Sequence, residues 1–144
     1  MPSDVKALVR RWFEEVWNQG RDATIDELCA PDSIGVGLGA GEAPVHGPDG
    51  FRVFHRNITS ALSDLHITLE DIIAEGDTAV VRITLDAKHT GPGLGVPPTG
   101  NNVHFAGIVI TKWSDGKVVR AWNSLLQQVR AIPAEKDRFL ETEK

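Results

Sequence analysis

The chain has 144 residues, of which 41% are hydrophobic and 24% charged, as expected for one globular domain with a core of its own. Its net charge of −5, without any basic run, argues against nucleic acid and anionic membrane surfaces as the main partners. Cys29 is the only cysteine, which excludes an intramolecular disulfide and a cysteine-rich zinc site.

Two further absences narrow the class of protein. No basic segment followed by an apolar one resembles a secretion signal, and no apolar run is long enough for a bilayer, so we expect a cytoplasmic protein. The chain contains no tyrosine, which excludes mechanisms that need a phenol as acid or oxyanion donor.

The first helix is predicted from apolar residues that recur at helical spacing over residues 5–17. Ser3 or Asp4 can cap its first turn, because a short oxygen-bearing side chain accepts from free backbone N–H groups. Gly20 suits the left-handed residue that follows a last turn.

Two shorter helical signals follow. Thr24 and Glu27 form a capping-box pattern for a second helix that ends at Pro31. Residues 35–50 are rich in glycine, and Pro48 fits the first turn of a third helix. The buried side of that third helix is predicted to carry Phe51, Phe54, Ile58 and Leu62.

Beyond Leu65 the apolar period changes from helical to alternating, which predicts strands. We predict strands at residues 65–70 and 79–88, then a hairpin of residues 103–113 and 118–129. Asp115-Gly116 between the last two is a strong type I′ turn signal. The prediction is one domain over residues 1–144, with a polar tail from about residue 134.

The hairpin turn also predicts which side chains share a face of the sheet. If Ser114 pairs with Lys117 and pairing continues without a shift, one face carries Val103, Phe105, Gly107 and Val109 with Arg120, Trp122, Ser124 and Leu126. The other face then carries His104, Ala106, Ile108 and Ile110 with Ala121, Asn123, Leu125 and Gln127. Both faces are largely apolar, so we expect helices to cover one and a second copy to cover the other. This predicts a homodimer through the outer sheet face.

Residues 89–100 contain four glycines and three prolines and fit neither helix nor strand. Loops of this length inside a domain are uncommon and often act as lids or binding loops. We therefore expect the loop to cap a pocket.

Several stretches together carry a family resemblance. They are residues 9–18, residues 50–66, Glu75-Gly76-Asp77, Val81-Arg82, His89-Thr90-Gly91, Pro97-Pro98-Thr99-Gly100, and Asp115-Gly116-Lys117 with Trp122. In this order and spacing the chain resembles the SnoaL-like polyketide cyclase or ester cyclase family of the nuclear transport factor 2-like superfamily. The resemblance implies an α+β, cone-shaped barrel in which a curved antiparallel sheet wraps around N-terminal helices, as in cystatin-like folds.

The resemblance also implies a chemistry, typically an aldol ring closure on a polyketide in an apolar cone, without a cofactor. Similar cyclases place an acidic residue four positions after the tryptophan of the last strand. Here that position is Leu126, and neither Ser124 nor Gln128 supplies an acid. Fold analogy alone does not provide the missing carboxylate.

Three residues are candidates for acid/base chemistry. Arg82 and Asp86 share one face of their strand with Thr84, where a cation and a base could serve an enolate, although a salt-bridged strand surface has the same pattern. His89 begins the glycine-proline loop and matches the family's histidine there, so it is a candidate proton shuttle. A histidine that only anchors the loop would look the same.

The candidate binding residues are mostly aromatic and could wall a pocket for a planar ligand. They are Phe13, Trp17, Phe54, Phe105, Trp122, Ser124 and Leu126. We expect His55, His66 and His104 at the surface or an interface, and Cys29 in the core. No histidine pair has convincing metal-ligand spacing, so we predict no metal and no cofactor.

Three functions remain open on these observations. The first is a cyclase, isomerase or lyase that acts on a small hydrophobic carbonyl or ester compound. The second is an epoxide hydrolase of the same superfamily, for which Arg82 fits but Thr84 and Ser124 stand where acids are needed. The third is a binding protein without catalysis, which Leu126 favours.

Overall fold

The computed structural model describes residues 4–38, 43–92 and 97–126, with the side chains of residues 125 and 126 excepted. Its helical part consists of α1 (Val5–Arg11), a π-helical segment (Trp12–Asn18), α2 (Asp22–Leu28) and α3 (Gly47–Ala61). Its strands are β1 (Cys29–Val36), β2 (Val45–His46), β3 (Leu62–Glu75), β4 (Thr78–His89), β5 (Asn102–Ser114) and β6 (Lys117–Leu126).

The N-terminal helix begins as predicted but changes its winding. Asp4 caps α1, its Oδ1 accepting from the backbone N–H groups of Lys6 at 3.0 Å and Ala7 at 3.4 Å. From Trp12 onward the helix is wider, a π-helical geometry that the apolar spacing did not distinguish from an α-helix. Gly20 follows with φ +67°, the left-handed conformation that was predicted.

The second and third helices differ in how well their starts were predicted. The capping box is wrong: α2 begins at Asp22, and the Thr24 hydroxyl donates to Glu15 Oε1 at 2.7 Å instead of accepting from its own helix. The start of α3 is confirmed, with Pro48 in its first turn. Its buried side includes Phe51 and Ala61.

The sheet has the strand order β2-β1-β6-β5-β4-β3, is curved, and does not close on itself. Its pairs are antiparallel except β1 with β6, which run parallel, so the sheet is mixed and not purely antiparallel. The prediction contained neither β1 nor β2. The α+β fold of helices against a curved sheet is confirmed.

The hairpin turn is confirmed, but the register beyond it is not. Asp115 and Gly116 have φ of 52° and 76°, as a type I′ turn requires, and Ser114 pairs with Lys117. A β-bulge then adds Val119 to β6, so that Lys112 pairs with Arg120. One extra residue exchanges the two faces of a strand. The described side chains of β6 beyond the bulge, those of residues 120–124, therefore lie on the face opposite to the one predicted.

The core lies between the helices and one face of the sheet, called here the inner face. It contains fully buried residues of α1 and the π-helical segment, such as Val9 and Val16, packed with Val81 and Ile83 of β4. The opposite, outer face carries no helix among the described residues. No helix of the described residues is both long and apolar enough to cross a membrane. The predicted polar tail lies outside the described residues.

Candidate functional site

An apolar cavity of about 140 Å³, partly open to solvent, lies between the inner face of the sheet and the helices. Its helical wall is aromatic and comes from the π-helical segment and α3. Its sheet wall comes from the inner face of β3 to β6 and from β1. The aromatic lining residues are Trp12, Phe13, Trp17, Phe51, Phe54, Phe105 and Trp113.

The helical wall is one packed aromatic cluster. Trp12 lies with its ring centroid 4.8 Å from that of Phe51, and Trp17 packs edge-on against Phe51 at 5.9 Å and Phe54 at 6.0 Å. Tilted and edge-on contacts of this kind are the favourable geometries for aromatic rings. The wall therefore presents rigid, flat apolar surface to whatever occupies the cavity.

His55, which we expected at the surface or an interface, is half-buried and supports this wall from behind. Its ring lies 4.6 Å from Trp17, and Nε2 donates to the backbone oxygen of Val16 at 3.1 Å. Burial lowers the pKa of His55 below its ordinary value, and the hydrogen bond to Val16 offsets only part of that effect. The neutral imidazole thus fixes the position of Trp17.

One end of the cavity, beside α2 and the β5–β6 turn, carries three small polar side chains. Cys29 Sγ and Ser33 Oγ lie 3.1 Å apart, and Thr111 Oγ1 accepts from the indole N–H of Trp113 at 2.8 Å. Burial raises the pKa of the Cys29 thiol, an effect that the hydrogen bond from Ser33 only partly opposes. Cys29 is buried as predicted, and as a neutral thiol it lacks the thiolate character of a nucleophile.

Asn123 is a polar residue of β6 that lines the cavity. Its Nδ2 donates to the backbone oxygen of Val36 at 2.9 Å, which ties β6 to the end of β1. Gly37 permits this approach, because a Cβ there would lie 2.1 Å from the backbone oxygen of Asn123. The uninterrupted register had placed Asn123 on the outer face, so the bulge at Val119 explains why the prediction missed it.

His89 lies at the end of β4, on the same face as Val81 and Ile83, and is fully buried. Its Nδ1 lies 3.4 Å from Thr99 Oγ1, while Nε2 is buried without a hydrogen-bond partner among the described residues. Its cross-strand partner Leu62 lines the cavity. Buried polar atoms are rarely left unpaired, so this nitrogen requires an explanation.

Backbone bonds hold the base of the glycine-proline loop around His89. His89 N donates to Asn101 O at 2.9 Å, and Gly100 N donates to His89 O at 2.7 Å. On the other side, Gly91 N donates to Ala61 O at the end of α3. Residues 93–96, where the predicted lid has its centre, lie outside the described residues.

Arg82 and Asp86 lie on the outer face, so the expectation that they line the cone is wrong. Arg82 pairs with Asp71 at 2.8 Å, and Asp86 Oδ1 lies 2.7 Å from His104 Nδ1. The side chains of Arg82 and Asp86 are 54% and 64% exposed. Neither side chain can therefore act on a ligand inside the cavity. The same holds for the role of Arg82 in the epoxide hydrolase hypothesis.

Of the seven predicted binding residues, four line the cavity, namely Phe13, Trp17, Phe54 and Phe105. Trp122 and Ser124 do not, because the bulge turns both to the outer face, where they pair with Ile110 and Ile108. The side chain of Leu126 lies outside the described residues. The bulge exchanges the two faces of β6, so that Asn123 and not Trp122 or Ser124 is directed to the inner face and lines the cavity.

The remaining predictions concern the other histidines and metals. His66 and His104 are exposed, as expected. Within residues 4–38, 43–92 and 97–126, no group of three histidine, cysteine, aspartate or glutamate side chains is arranged to hold a metal ion. Sequence reasoning missed Trp12, Phe51 and Ser33 as lining residues. The first two belong to apolar stripes that it had interpreted as core only.

Similar solved structures share this architecture. A protein from Jannaschia sp. CCS1 assigned as a SnoaL-like polyketide cyclase has a TM-score of 0.77 and 24% identity, over 87% of this chain and 90% of that chain. TsrD from Streptomyces laurentii has a TM-score of 0.75 and 28% identity, over 87% and 91%. AclR from Streptomyces galilaeus, assigned as a hydroxylase, has a TM-score of 0.72 and 26% identity, over 87% and 90%.

The sequence itself gives the family. No curated protein sequence is similar to the chain. The family described as SnoaL-like polyketide cyclase matches residues 7–128, which is most of the chain and includes all six described strands. This chain belongs to the SnoaL-like polyketide cyclase family.

Proposed function

We propose that this protein binds a small hydrophobic carbonyl or ester compound in the apolar cavity and promotes its ring closure by acid/base chemistry. The observation that carries the proposal is the cavity itself, with an aromatic helical wall and a few polar groups. Family membership supports the cyclase type of reaction. Because Arg82 and Asp86 lie on the outer face, away from the cavity, we assign the chemistry to side chains of the inner face.

The walls favour a planar, apolar ligand. Flat rings stack on or meet the edges of Trp12, Trp17 and Phe51 without loss of hydrogen bonds, and removal of apolar surface from water provides the driving force. A dry cavity of roughly 150 Å³ holds one benzene-sized ring. The cavity of about 140 Å³ would thus enclose one ring of a larger substrate, whose remainder extends towards the open side.

Asn123 can supply the electrophilic group. One hydrogen of Nδ2 is used by Val36 O, which fixes the amide, and the second remains to donate to a substrate oxygen. Ring closure by an aldol step develops negative charge on an enolate and then on an alkoxide oxygen. A fixed donor in apolar surroundings stabilises such an oxygen more than it stabilises the neutral carbonyl.

His89 can supply the acid/base group. It lies beside an apolar cluster of Ala61, Leu62, Ala87 and Val103, and Leu62 is its cross-strand partner. Neutral imidazole accepts a proton from the carbon next to a carbonyl, and the resulting imidazolium returns it to the alkoxide. A substrate oxygen or proton also gives the unpaired Nε2 the partner that it lacks in the described residues.

The proposal is tested with a 1,5-diketone that carries one phenyl group. Its intramolecular aldol closure gives a cyclic β-hydroxy ketone, which loses water to a cyclohexenone whose absorbance is measured. We expect His89→Gln to lower kcat by about 100-fold or more, the usual size of a general acid/base contribution. Asn123→Ala should lower it by about tenfold or more. Asp86→Asn and Arg82→Gln are the matched controls on the outer face, and each should stay within about twofold of wild type.

Loss of turnover in Asp86→Asn with full activity in His89→Gln would contradict the proposal. Affinity is measured in the same variants from the fluorescence of the tryptophans of the aromatic wall. Retained affinity in His89→Gln shows that the variant has lost the chemical step and not the cavity.

A binding protein without catalysis is the second candidate. The observation that favours it is that the described cavity-lining residues include no aspartate, glutamate or histidine. This candidate predicts that the phenyl diketone binds and quenches tryptophan fluorescence, while the rate of ring closure equals that in buffer. Turnover above the buffer rate that depends on His89 would exclude it.

A further inference from the structure

The end of the cavity beside α2 contains one hydroxyl group that the fold uses only weakly. Ser33 lines the cavity from β1 and is 7% exposed, so its side chain is removed from bulk water. Among the described residues that side chain has one polar partner, the thiol of Cys29 at 3.1 Å. A thiol is a weak donor and its sulfur a weak acceptor, whereas buried hydroxyl groups are usually well paired. Ser33 therefore retains the capacity to bind a polar group of a ligand.

The hydroxyl of Thr111, at the same end of the cavity, is used differently. It donates to the backbone oxygen of Ala79 at 3.2 Å and accepts from the indole N–H of Trp113 at 2.8 Å. Both partners are strong hydrogen-bonding groups of the sheet, so this hydroxyl gains little from a ligand. Of these two hydroxyl groups, that of Ser33 is the one available for recognition.

Ser33 and Cys29 together match one kind of ligand group, a hydroxyl. The thiol keeps its hydrogen, because burial raises its pKa, and it can donate that hydrogen to Ser33 Oγ. The serine hydroxyl is then free to donate to a ligand oxygen, and a ligand hydroxyl can donate to the sulfur in return. Each of the three groups donates once and accepts once in this arrangement. A carbonyl oxygen, which carries no hydrogen, would complete only one of the two new bonds.

The separation between Ser33 and Asn123 determines where on the ligand this hydroxyl lies. Asn123 Nδ2 bonds to the backbone oxygen of Val36, which is three residues beyond Ser33 on β1. At about 3.3 Å per strand residue, roughly 10 Å separate the two polar groups. A hydrogen bond at each end, oblique to the strand, leaves roughly 5–8 Å between two ligand oxygens. A single aromatic ring with a ketone and a hydroxyl on opposite carbons fits this separation.

We propose that Ser33 determines specificity by donating a hydrogen bond to a hydroxyl group on the substrate ring, opposite the carbon that carries the ketone. The preferred ligands are thus para-hydroxyphenyl ketones, with the carbonyl at Asn123 and the hydroxyl at Ser33. The inference rests on the proposed function for the position of the carbonyl. It does not depend on catalysis, because it concerns binding alone.

Calorimetric titration with 4-hydroxyacetophenone and 4-methylacetophenone tests the inference, because the two ligands differ by a hydroxyl in place of a methyl group. Wild-type protein should bind the hydroxyl ligand about fivefold more tightly or better. Ser33→Ala should reduce this preference to within about twofold, since the donor is lost. It should still bind 4-methylacetophenone at least as tightly as wild type, which shows that the cavity is intact.

Two controls accompany this measurement. Ser124→Ala is the same change on the outer face of β6 and should keep the wild-type preference. On the ligand side, 3-hydroxyacetophenone carries its hydroxyl away from Ser33 and should bind wild type more weakly than 4-hydroxyacetophenone. The second control requires no variant and is therefore independent of any effect of a substitution on folding.

Asn123→Ala separates this inference from the proposed function. It should weaken both ligands by a similar factor, because both carry the ketone, and leave the ratio of their dissociation constants unchanged. Equal affinities of wild type for the two ligands, or a preference that survives in Ser33→Ala, would overturn the inference and leave the cavity as the binding site. Affinities unchanged in Asn123→Ala, or binding of neither ligand to wild type, would overturn the proposed function and the inference together.

Discussion

The two faces of the sheet are built from the same alternating strands but have opposite chemistry. On β4 the inner residues Val81 and Ile83 are buried under the helices, whereas Arg82 between them forms an exposed ion pair. The inner face encloses a cavity with few polar groups, and the outer face carries most of the sheet's charge. A charged residue of a strand can therefore be considered catalytic only once it is known which alternate residues of that strand face the core.

The difference between the inner and outer faces should have its largest effect on the free energy of unfolding. Ile83→Ala removes buried methylene groups against the core and should lower the free energy of unfolding by about 2–4 kcal/mol. Arg82→Ala, one residue away, removes an exposed ion pair and should lower it by less than about 1 kcal/mol. Urea unfolding of both variants measures the difference. Equal costs at the two positions would contradict the assignment of faces on β4.

A second prediction concerns ligand affinity on β5. Phe105 lines the cavity and Ile108 lies on the outer face. Phe105→Ala should weaken the binding of 1-naphthol by about tenfold, the loss of roughly 1.4 kcal/mol of aromatic contact. Ile108→Ala should leave the affinity unchanged. Fluorescence titration gives both constants, and thermal unfolding confirms that each variant is folded. A larger loss in Ile108→Ala would move the binding surface to the outer face.

The smallest effect concerns pH and contrasts the half-buried His55 with the exposed His104. Burial lowers the pKa of His55 in the folded state, so below about pH 6.5 the unfolded chain binds a proton that the folded chain does not. Stability should therefore fall as the pH drops from 7 to 5, by at most about 1.4 kcal/mol per pH unit for this one proton.

Two variants isolate that contribution. His55→Gln should flatten the pH dependence, because glutamine does not titrate, whereas His104→Gln on the outer face should leave it as in wild type. Chemical unfolding at pH 7, 6 and 5 provides the three slopes. A slope that depends on His104 and not on His55 would show that the buried position of His55 is wrong.

Features governed by neighbouring residues could be predicted from the sequence. The cap at Asp4, the start of α3 at Pro48 and the turn at Asp115-Gly116 all depend on chemistry within a few residues. Alternation over β3 likewise gave the correct inner residue, Ile67. Each of these signals is local and requires no knowledge of the strand on the other side.

The features that were predicted wrongly depend on contacts between residues far apart in the sequence. β1 pairs in parallel with β6, a contact between residues nearly ninety positions apart that leaves no local pattern. The bulge at Val119 carries no glycine that would mark it in the sequence, yet it exchanged Trp122 with Asn123 between the faces. Most of the fold could thus be predicted, whereas the composition of the site depended on one inserted residue.

The four tryptophans allow the most direct test of the claim that ligand binds on the inner face. Each gives one indole N–H signal in a ¹⁵N-correlated NMR spectrum; Trp12, Trp17 and Trp113 line the cavity, and Trp122 lies on the outer face. On titration with 1-naphthol, we expect shifts of the three cavity signals and none for Trp122. A shift confined to Trp122, with the other three unchanged, would contradict it.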